Sequence, residues 1–304
     1  MEELESGWDI ELPVMEDTDV NLSDFRRSSA LVLAGGGMKG CYLLGALQYL
    51  YDHNGLENIR SFYGTSIGGV LSALLIIGYK PIEIFVYICT NKVQEALGQF
   101  NQNILERKCL LDTTAMIKFL TNMILEKLGK IPTLGELKEM FQRDLCVVTI
   151  ARDRVNEPLY LSTRTHPDMP LVQALHMSIS IPFVFGYAVY QNRKYIDGGL
   201  IDNFPIQHAS ENESRVFGLD LKSPDTDSES TDFTSEFMSI ATAPVSYITN
   251  YHKKHLGENA TYLDIITSAE IGINFNQTSS AMYKMFVYGF RQCKERMSVK
   301  CKKD

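Results

Sequence analysis

A serine flanked by glycines is the residue in this sequence best suited to act as a nucleophile. The stretch Gly64-Thr65-Ser66-Ile67-Gly68 follows a short strand-like segment and precedes an apolar helical one. In that context G-x-S-x-G forms a tight elbow, in which the glycines allow a sharp turn and the serine lies at a helix N-terminus. The same letters also occur by chance around a serine that only caps a helix. The motif alone therefore leaves nucleophilic chemistry open.

A stretch of nearly bare backbone lies one strand earlier. Residues 31–40 read LVLAGGGMKG, an apolar run that stops at a glycine-rich loop. The loop fits the dinucleotide pattern G-x-G-x-x-G, with Glu57 near the spacing of a ribose-binding acid, but it is not a P-loop because no serine or threonine follows a Gly-Lys pair. Its backbone N–H groups could bind a dinucleotide, another anion, or an oxyanion that forms during a reaction. The candidate oxyanion-hole residues are Gly35, Gly36, Gly37, Met38, Lys39 and Gly40.

The two motifs reinforce each other through their positions in the predicted fold. Residues 28–78 read as strand, loop, helix, strand, sharp turn and helix, which is a βαβ unit with one more helix. Consecutive parallel strands joined by a crossover helix end at the same edge of a sheet. The glycine loop is therefore expected beside Ser66, which favours an oxyanion hole over a dinucleotide site. Lys39 would either add positive field there or be a solvated loop charge.

A nucleophilic serine needs a general base, and an aspartate is the best candidate. Asp197 follows the strand-like pair Tyr195-Ile196 and precedes Gly198 and Gly199. An aspartate with a pKa near 4 is a weak base, so it must contact the Ser66 hydroxyl directly and gain from partial desolvation. This predicts a Ser66–Asp197 dyad without histidine. None of the six histidines lies in a glycine-rich loop: His53, His166, His176, His208, His252 and His255.

Charge and composition exclude some classes of protein and favour others. The chain of 304 residues has 29 basic and 37 acidic side chains, a net charge of −8 that disfavours nucleic-acid binding. Six scattered cysteines without C-x-x-C spacing, no signal peptide and no transmembrane segment predict a cytoplasmic protein. The basic residues near the C-terminus predict salt-sensitive peripheral binding to anionic membranes. They are Lys284, Arg291, Lys294, Arg296, Lys300, Lys302 and Lys303.

The order of four motifs resembles the patatin-like phospholipase family. These are G-G-G-x-K-G, G-x-S-x-G, S-x-x-x-P at residues 178–182, and Asp-Gly-Gly followed by L-I-D-N-F-P at residues 200–205. The resemblance covers roughly residues 28–222. It implies a three-layer α/β/α sandwich with a mostly parallel central sheet, a Ser66–Asp197 dyad, an oxyanion loop, and no cofactor or metal in the chemistry.

The implied activity is that of a lipid acyl hydrolase of the phospholipase A or lysophospholipase type. A triacylglycerol lipase or another esterase on the same dyad is an alternative. A dinucleotide-binding oxidoreductase and a catalytically inactive lipid-binding protein are alternatives of other classes. Substrates would be phospholipids or other acyl lipids at a membrane surface, while head group and oligomeric state stay open.

The domain organisation expected from the sequence is one catalytic domain with additions at both ends. An acidic, flexible leader occupies residues 1–27, and the catalytic core occupies residues 28–222. The core includes a helical insert at about residues 80–142. Residues 223–304, an acidic loop and a helical region, complete the same domain.

Overall fold

One mixed β-sheet runs through the part of the chain that the structure describes. The computed structural model describes residues 22–90, 113–182, 184–223, 233–267 and 277–297. The strands in these ranges are β1 (Ala30–Leu33), β2 (Ser61–Thr65), β3 (Asp144–Ala151), β4 (Pro158–Ser162), β5 (Ala188–Tyr190), β6 (Arg193–Asp197), β7 (Val216–Lys222) and β8 (Ala260–Ile266). Hydrogen-bonded neighbours follow the path β5-β6-β3-β2-β1-β7-β8, and β4 also pairs with β3. The run β3-β2-β1-β7-β8 is parallel throughout, and β4, β5 and β6 are antiparallel to their neighbours.

Helices cover both faces of this sheet. The α-helices within the described ranges are α1 (Leu22–Arg26), α2 (Gly40–Asp52), α3 (Ile67–Ile76), α4 (Pro81–Thr90), α5 (Thr114–Leu128), α6 (Leu134–Phe141), α7 (Leu171–Ser178), α8 (Ile206–Asn212), α9 (Phe233–Lys254) and α10 (Ser279–Met297). Single 3-10 turns occupy Gly37–Lys39 and Gly198–Leu200. The mostly parallel α/β class predicted from the sequence is confirmed.

Alternate residues of β1 divide the core into two layers of side chains. Leu31 and Leu33 pack in the larger cluster with α2, α3 and α10, whereas Ala30 and Val32 pack in a smaller cluster with Ile206 of α8. This alternation is the period-two pattern of a strand that is buried on both faces. The described residues therefore form three layers, helix on sheet on helix.

The order strand, loop, helix, strand, turn, helix over residues 28–78 is present as predicted. Strands β1 and β2 pair in parallel, from Ala30 opposite Ser61 to Leu33 opposite Gly64. Helix α2 connects them, and α3 follows β2 directly. The glycine loop and the G-x-S-x-G turn consequently leave the same edge of the sheet, here called the carboxyl edge because the parallel strands end there.

Strands β2 and β6 end head-on along one side of β3. Thr65, the last residue of β2, pairs with Val148, and Asp197, the last residue of β6, pairs with Thr149. Both strands must lie on the same side of β3, because β4 pairs with Val148 and Thr149 from the other side. This arrangement brings two chain segments that are distant in sequence to one point.

The fold begins before the boundary expected from the sequence. Residues 22–26, assigned above to the acidic leader, form α1, and Phe25 is fully buried. Its ring packs edge-on against Phe217 of β7 with the centroids 4.7 Å apart. The reason is that a single buried aromatic side chain contributes enough apolar contact to hold a short helix that lacks periodicity. Residues 1–21 lie outside the described ranges.

The helical insert is described in part. Helices α4, α5 and α6 lie within residues 80–142, and residues 91–112 fall outside the described ranges. The acidic loop at 224–232 and the chain from residue 298 onwards do so as well. Within the described residues, no single helix is long and apolar enough to cross a membrane, although α3 and α4 together pass that test as a pair bent by 118°.

Candidate active site

Ser66 occupies a strained turn between β2 and α3. Its backbone has φ 54° and ψ −124°, which is an unfavourable conformation for a residue with a Cβ atom. The flanking glycines allow the turn because a Cβ on Gly64 would lie 2.5 Å from the carbonyl carbon of Gly68, and a Cβ on Gly68 would lie 2.3 Å from the carbonyl oxygen of Leu33. The sharp turn is the local geometry of a nucleophile elbow.

Neighbouring hydroxyl groups hold the strained turn in place. The backbone N–H of Ser66 donates to Ser178 Oγ at 2.9 Å, and Ser178 Oγ donates to the carbonyl oxygen of Val148 at 2.7 Å. The Thr65 hydroxyl donates to the carbonyl oxygen of Asp202 at 2.8 Å. These bonds tie the elbow to β3 and to the loop after β6, so the position of Ser66 is fixed from two sides.

Asp197 lies at the end of β6 with almost no access to solvent. Its Oδ1 accepts a hydrogen bond from Gly199 N at 2.7 Å, and its own N–H donates to Ser180 O at 2.8 Å. The side chain is only 4% exposed. Oδ2 is buried and has no hydrogen-bond partner of normal geometry among the described residues. One carboxylate oxygen is thus used for positioning, and the other is available for a proton.

Burial raises the pKa of Asp197 to about 6, while the Ser66 hydroxyl and the Gly199 N–H favour the ionised form and oppose that rise. The hydroxyl is therefore beside the carboxyl group, even though it does not close a normal hydrogen bond to Oδ2. Such bonds are often loose in a site without substrate and tighten when substrate binds. A pKa near 6 leaves the carboxylate ionised at neutral pH and makes it a better base than an ordinary aspartate.

Three backbone N–H groups of the glycine loop, those of Gly36, Gly37 and Met38, have no acceptor among the described residues. Lys39 N donates to Gly36 O at 3.0 Å, and Gly40 N donates back into the same 3-10 turn. Gly35 N donates to Asn203 O at 3.0 Å. Of the three residues with an unbonded N–H group, Gly37 and Met38 line the cavity beside Ser66. They are the members of the predicted loop that can bind an anion there.

Asn203 joins the glycine loop to the loop that follows Asp197. Its carbonyl oxygen accepts from Gly35 N, and its Nδ2 donates to Gly35 O at 3.1 Å. A Cβ on Gly35 would lie 2.3 Å from Asn203 Oδ1 and 3.3 Å from Ser66 Cβ, so the position requires glycine. Sequence reasoning assigned no role to Asn203 or to Ser178, although both belong to the motifs that carried the resemblance.

Lys39 is partly buried at the outer side of the loop. Its Nζ donates to Ser223 Oγ at 2.9 Å, and burial lowers the pKa of the ammonium group. The side chain is therefore not a freely solvated loop charge. No carboxylate neutralises it among the described residues.

An apolar cavity opens beside Ser66. Helices α3, α4 and α5 form its walls, and the segment after α7 closes one side. The side chains and loop residues that line it are Gly37, Met38, Gly40, Cys41, Leu44, Ser66, Ile67, Val70, Leu71, Leu74, Ile84, Ile88, Met116, Phe119, Leu120, Ile179, Ile181 and Phe185. Among the described residues of this lining, Ser66 alone carries a hydroxyl group. A long apolar group could therefore lie in the cavity with its polar end at Ser66.

The histidines with prominent contacts are engaged away from the pair of Ser66 and Asp197. His176 Nε2 lies 3.2 Å from Thr113 Oγ1, and His208 stacks on the ring of Tyr160 with the centroids 3.6 Å apart. Within the described ranges, no group of three or more His, Cys, Asp or Glu side chains is arranged to hold a metal ion.

Comparison with known proteins identifies the class to which this fold and site belong. Residues 31–210 match the family model of patatin-like phospholipases. The chain therefore belongs to the patatin-like phospholipase family. The match spans the glycine loop, the elbow and the Asp-Gly-Gly segment.

Individual relatives match this chain over part of their length. The chain is 35% identical over 183 residues to the probable lipid hydrolase 463L of Invertebrate iridescent virus 6, covering 59% of this chain and 62% of that protein. It is 28% identical over 212 residues to the uncharacterized protein YqhO of Bacillus subtilis, covering 62% of this chain and 70% of that protein. The alignment thus leaves more than a third of the viral relative uncovered.

A solved structure shares the fold at low sequence identity. VipD from Legionella pneumophila superposes with a TM-score of 0.52 at 17% identity, covering 88% of this chain and 66% of that one. At this identity the likeness concerns the fold alone.

Proposed function

We propose that the protein is a lipid acyl hydrolase of the phospholipase A or lysophospholipase type, with Ser66 as nucleophile and Asp197 as general base. The observation that carries this proposal is the position of a strained serine beside a buried carboxyl group at the polar end of an apolar cavity. The family assignment and the printed name of the viral relative support the same chemistry.

The proton moves between two groups that the fold holds together. Asp197 Oδ2 accepts the proton of the Ser66 hydroxyl, and Ser66 Oγ attacks the ester carbonyl carbon. The alcohol of the substrate leaves with the proton from Asp197, and an acyl group remains on Ser66. Water then gives a proton to Asp197 and attacks the carbonyl carbon of the acyl-enzyme. Asp197 passes that proton to the departing Ser66 Oγ, which releases the fatty acid and restores the enzyme. Asp197 thus acts as base and then as acid in each half of the reaction, without a histidine.

The negative charge on the carbonyl oxygen needs donors that are already in place. The N–H groups of Gly37 and Met38 satisfy that requirement, since they line the cavity at Ser66 and have no acceptor among the described residues. Losing one such donor typically costs roughly 3 kcal/mol of transition-state stabilisation. The nearby ammonium group of Lys39 adds positive potential. The bare backbone of the glycine loop thus serves an oxyanion, and a bound dinucleotide is not needed to explain it.

The cavity indicates which part of the substrate is recognised. Its apolar walls fit an acyl chain, and burying such a chain contributes about 25 cal/mol for each Å² of apolar surface removed from water. The ester carbonyl would lie at Ser66 and the alcohol portion would face the carboxyl edge. Recognition by the acyl chain explains activity on membrane lipids without selecting a head group.

Fatty-acid release from mixed phospholipid vesicles tests the proposal. The wild-type protein should release fatty acid, and Ser66→Ala should release less than about 1% as much, because one nucleophile carries the reaction. Ser72→Ala is the matched control, since Ser72 lies on α3 with a buried hydroxyl that has no partner among the described residues. Equal release by wild type and Ser66→Ala would reject the dyad. No release by the wild type from any acyl ester would favour a lipid-binding protein without catalysis.

A further inference from the structure

Two cations surround one tyrosine ring close to the candidate active site. The guanidinium carbon of Arg152 lies 5.9 Å from the centroid of the Tyr187 ring, and Lys194 Nζ lies 5.3 Å from the same centroid. All three side chains are exposed. Neither Arg152 nor Lys194 makes a salt bridge to a carboxylate within the described part of the chain.

The neighbouring basic side chains differ in this respect. Arg193 Nη2 pairs with Asp153 at 2.9 Å, and Arg154 lies 3.7 Å from Glu157. Asp153 and Glu157 are thus already paired with other arginines. Arg152 and Lys194 remain as two like charges next to each other. An anion that binds between them would relieve their repulsion and gain from both.

The two cations lie beyond the carboxyl edge of the sheet, on the side of Ser66. Strand β2 ends opposite Val148, and β3 continues for three more residues to Ala151. Ala151 pairs with Tyr195 of β6. Arg152 N then donates to Lys194 O at 2.9 Å. At about 3.3 Å per residue, the pair projects roughly 10 Å beyond the elbow. Phe185 lines the cavity, and Tyr187 lies two residues further along the chain.

Apolar side chains are exposed beside these cations. Val155 in the β3–β4 connection is 59% exposed, and Val189 of β5 is 56% exposed. The β5–β6 turn is tight, with Gln191 and Asn192 both at positive φ (48° and 61°), as in the two-residue turns of rigid hairpins. Basic and apolar groups presented together on a rigid support suit the boundary between lipid head groups and acyl chains.

We propose that this tip, defined as Arg152, Val155, Tyr187, Val189 and Lys194, docks the protein on an anionic lipid surface. Lipid phosphate or carboxylate groups bind at Arg152 and Lys194, and the two valines enter the interface. The carboxyl edge, with Ser66 and the cavity, then faces the membrane from which an acyl chain is drawn. This inference rests on the proposed function, because it names the surface through which the substrate reaches that site.

The basic residues in the last turn of α10, Lys294 and Arg296, lie on a different part of the molecule. Gln292 bonds to both the N–H and the carbonyl oxygen of Ile266 at the end of β8, and Arg296 donates to Asp264 O two residues earlier in that strand. Helix α10 therefore runs antiparallel to β8 and ends towards the edge of the sheet opposite to Ser66. The tip, rather than the end of α10, is on the side where the substrate enters.

Vesicle binding of the full-length protein tests the tip. Ser66→Ala is used as background so that lipid is not consumed, and the vesicles contain phosphatidylcholine with or without phosphatidylserine. Arg152→Gln with Lys194→Gln should weaken binding to the anionic vesicles roughly 10-fold or more and reduce its salt dependence. Arg60→Gln with Lys138→Gln is the matched control, because it removes the same charge near the amino ends of β2 and β3. It should change binding less than about 2-fold.

Three results would overturn the inference. The first is an equal loss of binding in both double variants, which would show a response to net charge alone. The second is unchanged binding of the Arg152 and Lys194 variant. The third is a comparable loss only when Lys300, Lys302 and Lys303 are replaced by glutamine in the full chain, which would assign docking to the tail.

Hydrolysis of a water-soluble butyryl ester separates this inference from the proposed function. With Ser66 intact, the Arg152 and Lys194 variant should hydrolyse that ester within about 2-fold of wild type, because the tip does not touch the reacting atoms. A large loss would place these residues in the catalytic machinery and overturn a docking role. If the wild type hydrolyses neither this ester nor vesicle phospholipid, the proposed function fails, while the vesicle-binding experiment still decides whether the tip binds lipid.

Discussion

Ser66 and Asp197 meet because the strands that carry them end head-on along the same side of β3. Ser66 follows Thr65, which pairs with Val148, and Asp197 pairs with the next residue, Thr149. A single buried strand thus sets the position of both groups. Ser178 adds to this control, since its hydroxyl links Ser66 N to Val148 O. The dyad proposed above is therefore supported by rigid elements rather than by loops alone.

Replacing the base should stop turnover without changing the shape of the site. Asp197→Asn keeps an oxygen for Gly199 N but cannot accept the serine proton, so kcat should fall about 100-fold or more. In the wild type, kcat/KM should fall as the pH drops below about 6, because the base must be ionised. Initial rates on a water-soluble ester, measured across that range, check both statements. His176→Ala and His208→Ala are the controls, and a histidine variant as inactive as Asp197→Asn would make histidine the base.

The same aspartate should leave a signature in the pH dependence of stability. Its pKa is raised from 3.8 to about 6, so the folded state holds the proton more tightly than the unfolded chain does. Its contribution to stability is therefore full below about pH 4 and is lost as the pH rises through about 6. Asp197→Asn should gain stability over the wild type in that window, by on the order of 3 kcal/mol at pH 8, given about 1.4 kcal/mol per pKa unit.

Urea unfolding at pH 4 and at pH 8 measures this difference. Asp153→Asn is a useful comparison, because the hydrogen bond from Arg193 lowers the pKa of that exposed carboxyl group and gives the opposite sign. If the difference in free energy of unfolding between Asp197→Asn and wild type is the same at both pH values, burial does not raise the pKa of this carboxyl group.

An alanine in the glycine loop should reduce turnover more than substrate binding. Gly37 has φ 54°, so a Cβ there shifts the loop and displaces the N–H groups of Gly37 and Met38. Because the oxyanion forms only near the transition state, kcat should fall about 100-fold with little change in KM. Gly129→Ala is the matched control, since Gly129 has φ 70° and open space around it at the end of α5.

Both alanine variants should lose a similar free energy of unfolding, roughly 1 kcal/mol, while only Gly37→Ala loses activity. Steady-state kinetics with a water-soluble ester and thermal melts provide the two measurements. Parallel losses in kcat and in apparent affinity would indicate that the loop binds a ground-state ligand such as a nucleotide.

Filling the far part of the cavity should change the preferred acyl length. Leu74 lines the cavity on α3, about two helical turns from Ser66, so Leu74→Trp shortens the space and leaves its polar end free. The ratio of kcat/KM for a palmitoyl ester to that for a butyryl ester should fall about 10-fold or more. Leu125→Trp, on the exposed side of α5, is the control. An unchanged ratio would mean that the acyl chain binds elsewhere.

The structural features that depend on local sequence could be predicted from the sequence alone. Tight turns demand glycine at defined positions, so G-x-S-x-G and the loop before it marked two strand-to-helix turns. Two consecutive parallel strands then required both turns to leave one edge of the sheet. The start of the fold was misplaced because one buried side chain, Phe25, decides it.

Only the tertiary structure decided the remaining features, because they arise from pairing between distant segments. Sequence patterns predicted that Asp197 ends a strand. They did not predict that β6 runs antiparallel to β3 and stops opposite the end of β2. They also could not distinguish which N–H groups of the glycine loop are free, since Lys39 N bonds within its own turn and Gly35 N bonds to Asn203. Each of these contacts needs two partners, and the local sequence shows only one of them. The other comes from a distant segment that folding brings close.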